Sequence, residues 1–108
     1  VAPAMAIGRE EIFGPVATLF TFESEDEALR LANDSIYGLA ASVWSKNIDT
    51  ALTVSRRVRA GRFWVNCIMA GGPEMPLGGF KQSGWGREMG KNVIDAYTET
   101  KSVFVDLG

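Results

Sequence analysis

The sequence predicts an α/β fold with a largely parallel sheet. Three features carry this reading: β-branched and aromatic runs at residues 16–22, 39–45 and 62–66, helical patterns between them, and a long glycine-rich segment leaving the third run. Strands alternating with helices of about ten residues need crossover connections, which are right-handed and set the strands parallel. In such sheets ligands bind beyond the carboxyl ends of the strands. The glycine-rich segment starts at such an end, so it becomes the place to look for a site.

The elements follow in order. Residues 1–9 carry no clear pattern, and residues 10–15 (EEIFGP) form a charged-then-apolar turn leading into the first strand, VATLFTF. Ser24 with Glu27 three residues later is a capping-box pair: the hydroxyl accepts from the Glu27 N–H and the carboxylate reaches back. The helix they start places Ala28, Leu31 and Ala32 on one face and ends in the NDSIYG turn at residues 33–38. LAASVWS at residues 39–45 is the second strand, and Asn47 caps a helix expected from Ile48 to about Ala60. Ile48, Ala51, Leu52, Ser55 and Val58 make its buried stripe. Arg56, Arg57 and Arg59 then complement the carbonyl end of its dipole, and Gly61 stands as its stop. The third strand, RFWVN at residues 62–66, is apolar on both sides, as suits a strand covered on each face. A short helix is expected at residues 91–98 and a final strand at residues 101–107.

Residues 73–90 (PEMPLGGFKQSGWGREMG) fit no helix or strand period. Gly78, Gly79, Gly84, Gly86 and Gly90 permit backbone angles and close approaches denied to other residues. Phe80, Trp85, Met75, Lys81 and Arg87 lie among them, a mixture unlike a disordered linker, so an ordered, shaped loop is expected.

Composition narrows the function. At 108 residues the chain has the length of one domain, near the lower limit for a self-sufficient core. Eleven basic against thirteen acidic residues give a net charge of −2, with no basic stripe for a nucleic-acid backbone. One cysteine and no histidine exclude a disulfide framework and the usual zinc ligand sets, and suit a reducing, cytoplasmic compartment. No apolar run approaches the roughly 20 residues of a membrane helix. The chain opens on Val1 and stops just after a strand-like run, so both ends read as cut.

Taken alone, the candidate catalytic groups are weak. Cys67 ends a strand at the loop entrance, but a thiolate nucleophile needs a base or cation to activate it, and the chain has no histidine. By itself it reads as a small buried apolar residue. Gly84, Gly86 and Gly90 have the spacing G-x-G-x-x-x-G, with no acidic residue ending a following strand, so they are not a dinucleotide fingerprint. The arginines at the end of the second helix are explained by the dipole.

Several segments together are more specific. EEIFGPV at residues 10–16, NDSIYGLAASVWS at 33–45, AGRFWVN at 60–66, PLGGFKQSGWGRE at 76–88 and AYTETKSV at 96–103 resemble signature segments of the aldehyde dehydrogenase superfamily, in that family's order and approximate spacing. They cover nearly the whole chain beyond residue 8. The PEMP-x-GG form of the loop looks most like betaine-aldehyde and aminoaldehyde dehydrogenases.

The resemblance implies the C-terminal part of a longer enzyme that oxidises an aldehyde to the acid with NAD or NADP. Residues 1–100 would belong to the thiol-bearing catalytic domain and residues 101–108 to an oligomerisation arm. The family's nucleophilic cysteine, general-base glutamate and Rossmann domain lie upstream of the matched segments, so the 108 residues alone are expected to be inactive. By the same resemblance Glu11 matches the residue that holds the nicotinamide-ribose hydroxyls, and Phe13 an aromatic beside the nicotinamide ring. Glu88 matches an acidic residue implicated in proton movement. Residues 66–77, including Cys67 and Glu74, match the lining of the substrate entrance, with Leu77 where the family often has an aromatic residue. Glu74 and Trp85 are expected to favour a cationic aldehyde, since a carboxylate and an aromatic face both attract ammonium groups. Residues 102–107 match the strand through which subunits join as homodimers or homotetramers, with Glu99 just before it at an interface position. An autonomous interaction module that adds its last strand to a partner's sheet is the alternative.

Overall fold

Ser24 starts the first helix as its sequence requires. In the computed structural model, which describes residues 1–108, the Ser24 hydroxyl accepts from the Glu27 N–H at 3.2 Å, opening α1 (Glu25–Asn33). The Glu27 carboxylate reaches back to the N–H of Glu23 at 3.0 Å, one residue further than a capping box predicts. Leu29 is the buried residue of this helix, while Ala28 and Leu31 are half-buried and Ala32 is exposed.

Asn47 opens α2 (Ile48–Arg57) by accepting from the N–H groups of Asp49 at 2.9 Å and Thr50 at 3.2 Å. The helix stops at Arg57, short of the expected Ala60, because Val58 turns to an extended conformation. Gly61 is therefore not its stop. Gly61 instead lies against the Gly78 carbonyl, where an added Cβ would overlap the oxygen. Of the expected stripe, Ala51 is fully buried and Ser55 and Val58 are half-buried, while Ile48 is 57% and Leu52 41% exposed.

This helix is the crossover between β2 (Ala40–Val43) and β3 (Arg62–Val65), which pair in parallel with Ala40 opposite Arg62 and Val43 opposite Val65. One strand–helix–strand unit of the expected fold is thus present. Asn66 prolongs the pairing with its side chain. Its Oδ1 accepts from Ser45 N at 2.8 Å and its Nδ2 donates to Ser45 O at 2.9 Å, so the amide takes the place of a backbone peptide.

A second pair was not expected. β1 (Tyr37–Gly38) runs antiparallel to β4 (Phe80–Lys81), which lies inside the glycine-rich segment. The sheet is consequently two separate two-stranded pieces. Beyond it, α3 (Asn92–Tyr97) is the short helix expected near residues 91–98.

Two expected strands do not form. Residues 16–22 stand off from β2 and share with it and α1 an apolar groove of about 560 Å3 instead of a hydrogen-bond ladder. Residues 101–107 are fully exposed, with no backbone partner, so their strand propensity has nothing to pair with. The expected βαβαβ order is therefore reduced to its βαβ half.

Little of the chain is buried. Leu29 and Ala51 are the only buried hydrophobic residues, and the chain spans 74 × 33 × 24 Å. Its radius of gyration is 19.1 Å. A compact domain of this length would have about 13 Å. The elements form locally, but they do not enclose a core of their own.

Candidate functional site

The turn at residues 10–15 presents its two candidates differently. Glu11 lines an open cleft of about 650 Å3, bounded by the 3-10 turn Ala6–Gly8, β1, Arg59 and the loop residues Gln82 and Ser83. Its carboxylate accepts no hydrogen bond within the chain. Phe13 sits two residues on in a left-handed conformation, φ 52°, with its ring 92% exposed. An aromatic residue in this region is strained, and such strain collects at functional sites.

The glycine-rich segment is ordered by hydrogen bonds at defined places. Leu77 N donates to Glu88 O at 2.8 Å and Glu88 N to Leu77 O at 2.7 Å, closing the loop between them. Lys81, also at positive φ, donates from Nζ to the carbonyls of Asn33 and Ser35, both at 2.9 Å, where α1 ends. The Asn33 side chain in turn donates to Arg57 O at 2.9 Å and accepts from Arg59 N at 2.8 Å. The ends of both helices and the loop are thereby tied through two side chains. Arg57 adds surface ion pairs to Asp26 at 2.7 Å and Glu25 at 3.6 Å, across to the first turn of α1. Such exposed pairs contribute about 0–1 kcal/mol.

The remaining candidates are spread along this frame. Cys67 is a half-buried free thiol just past β3. Glu74 folds its carboxylate over the Cα of Gly72. Leu77 is half-buried and Glu88 exposed, joined through their backbones. Trp85, 99% exposed, shares a shallow cup with Phe80, Arg59, Lys81 and Arg87, while Glu74 is not among the residues of that cup. Arg87 lies over the Phe80 ring at 5.5 Å and donates to the carbonyls of Gly79 and Gly86. Glu11 and the loop thus meet through Gln82 and Ser83, but Glu74 and Trp85 occupy different surroundings.

Sequence reasoning missed Asn33, Arg62, Trp64, Asn66 and Lys81 as organising residues. Asn33 and Asn66 carried a usable signal, because Asn often ends an element by hydrogen-bonding backbone or by entering the left-handed region. The two aromatic and basic residues of β3 gave none, since only the folded loop supplies their partners.

Comparison with known proteins identifies the family. The sequence pattern of the aldehyde dehydrogenase family matches residues 1–103. The chain is 51% identical over 100 residues to betaine aldehyde dehydrogenase of Bacillus subtilis (strain 168), covering 93% of the chain and 20% of that protein. Its structure superposes on NAD-dependent aldehyde dehydrogenase from Sinorhizobium meliloti with a TM-score of 0.91 and 55% identity, covering 100% of the chain and 22% of that one. The P. syringae AldA indole-3-acetaldehyde dehydrogenase, solved with NAD+, gives a TM-score of 0.91 at 48% identity over 99% of the chain and 22% of its own. The 108 residues span about a fifth of the length of these relatives. The chain belongs to the aldehyde dehydrogenase family.

Proposed function

We propose that these residues are the C-terminal part of an NAD(P)-dependent aldehyde dehydrogenase, supplying a cofactor contact, one wall of the substrate entrance and an oligomer arm. The observation that carries the proposal is the superposition at a TM-score of 0.91 over the full chain on an NAD-dependent aldehyde dehydrogenase. NAD or NADP, when bound, supplies a hydride acceptor. The chain's own residues fit such a group: Glu11 offers a carboxylate without an internal partner in an open cleft, and a carboxylate is suited to accept from ribose hydroxyls. Phe13 offers an aromatic face held out from the chain by its left-handed backbone.

Residues 66–77 form the entrance wall, with Cys67 and Glu74 toward an aldehyde and Leu77 at the point where the loop closes on Glu88. Glu88 is assigned a part in proton movement near the reacting centre. The nucleophile and the general base come from the longer polypeptide, which places the protein's activity in the complete enzyme. Residues 102–107, exposed and without a backbone hydrogen-bond partner within the chain, act as the arm through which subunits associate. A preference for a cationic aldehyde rests on Glu74 and the loop's likeness to betaine-aldehyde enzymes. Trp85 lends it little, because Arg59, Lys81 and Arg87 surround that ring with charge of the same sign as such a substrate.

Steady-state kinetics on the complete enzyme and its Glu11→Gln variant test the cofactor assignment. A weakened carboxylate contact raises the KM for the dinucleotide or lowers kcat by about tenfold or more, the range of a hydrogen bond to a charged group. Unchanged cofactor kinetics would remove Glu11 from this role. The same assay, run with a quaternary-ammonium aldehyde and a neutral one of similar size, reads the cationic preference directly, and equal kcat/KM values would refute it.

A further inference from the structure

The entrance wall hangs between two fixed points. At its root, the Asn66 amide is paired with the Ser45 backbone. At its far end, Leu77 and Glu88 exchange two backbone hydrogen bonds. Between them, Pro73 O accepts from Gly90 N at 2.8 Å, and only two side chains hydrogen-bond the backbone of residues 67–76. Trp64 donates from its indole Nε1 to Ala70 O at 2.7 Å. Arg62 donates from Nη2 to Met75 O at 3.2 Å.

These two residues stand at i and i+2 of β3, hence on one face of the strand. The Arg62 guanidinium lies 5.8 Å from the Trp64 ring centre, so the pair forms one bracket gripping the loop on both sides of Gly72. The Nε of Arg62 is buried without an acceptor. The loop itself exposes Ile68, Met69 and Met75 on either side of Glu74 in sequence, a largely apolar surface.

We propose that Arg62 and Trp64 are positioning residues for the substrate entrance, setting which aldehydes are admitted by the length and bulk of their apolar tails. This rests on the assignment of residues 66–77 to the entrance wall. Neither residue takes part in the chemical step. Their effect is carried by the carbonyls of Ala70 and Met75, and a loop released from one of them shifts the tail's surroundings while leaving Glu11 and Phe13 in place.

The test measures kcat and KM of the complete enzyme for a short straight-chain aldehyde, a long straight-chain aldehyde and a bulky aromatic one, with Trp64→Phe, Arg62→Met and Arg62→Lys. Trp64→Phe keeps an aromatic side chain on β3 but removes the Nε1 donor together with the pyrrole part of the indole, so the Arg62 variants read the second tether independently. The expected result is a three- to tenfold change, about that of one hydrogen bond, in the ratio of kcat/KM between short and bulky aldehydes. It is carried by KM, with cofactor KM unchanged, and Arg62→Lys restores the wild-type ratio at least in part. A uniform loss for all aldehydes in the variants, or variant ratios equal to those of an active wild-type enzyme, overturns the bracket and leaves the enzyme assignment standing. A wild-type enzyme with no aldehyde-dependent reduction of NAD or NADP overturns both.

Discussion

Single residues do much of the organising here, and the tightest constraint is a glycine. Gly61 lies where any Cβ would meet the Gly78 carbonyl oxygen, so the start of β3 and the loop can touch only through hydrogen at that position. Gly61→Ala in the complete enzyme is expected to destabilise it by about 1–3 kcal/mol, as over-packing does, and to move its denaturation midpoint accordingly. A midpoint equal to that of the wild type would show that the loop does not pack at the start of β3 as described. Glycine could be flagged as important from sequence, but Gly61 was read as a helix stop, because close approach to a distant segment leaves no local signature. The same holds for Lys81: a lysine in a glycine-rich run reads as a solvated charge until the fold brings the end of α1 to it. The roles proposed for Glu11 and Phe13 rest on the EEIFGPV segment as a whole, not on carboxylate chemistry at one position.

Elements closed by local chemistry were the easiest to read. Ser24 and Asn47 both start their helices through side-chain oxygens, within reach of N–H groups two or three residues on, and no distant partner is needed. Replacing Asn47 by Ala removes two such bonds, and a loss of about 0.5–2 kcal/mol is expected from the urea unfolding midpoint of the complete enzyme. A midpoint shared with wild type would mean that α2 is held by packing alone. β2 and β3 were also foreseen, since a crossover helix lies between them and pairs them in parallel. Strands with no partner inside the chain were not. Residues 16–22 and 101–107 have the side chains of strands, but β structure is completed by a neighbour, and propensity does not say whether one is present. β1 and β4 illustrate the converse: two residues each, too short for a pattern, they pair because the loop returns beside β1.

The whole molecule explains why the apolar residues are distributed as they are. Leu19, Phe22, Trp44, Ile48, Val103 and Phe104 are all exposed, and two hydrophobic residues are buried, too few to form a self-sufficient core. Apolar surface on this scale calls for covering, and the relatives it matches, some five times longer, have the polypeptide to supply it. Independent function as a binding module requires a chain that folds alone, which this degree of exposure opposes. On the function proposed above, these residues act only as a section of a larger dehydrogenase. The most direct measurement is aldehyde-dependent formation of NADH or NADPH, comparing the isolated 108-residue chain with the complete enzyme under the same conditions. The account requires turnover by the complete enzyme and none by the isolated chain; sustained turnover by the isolated chain would contradict it.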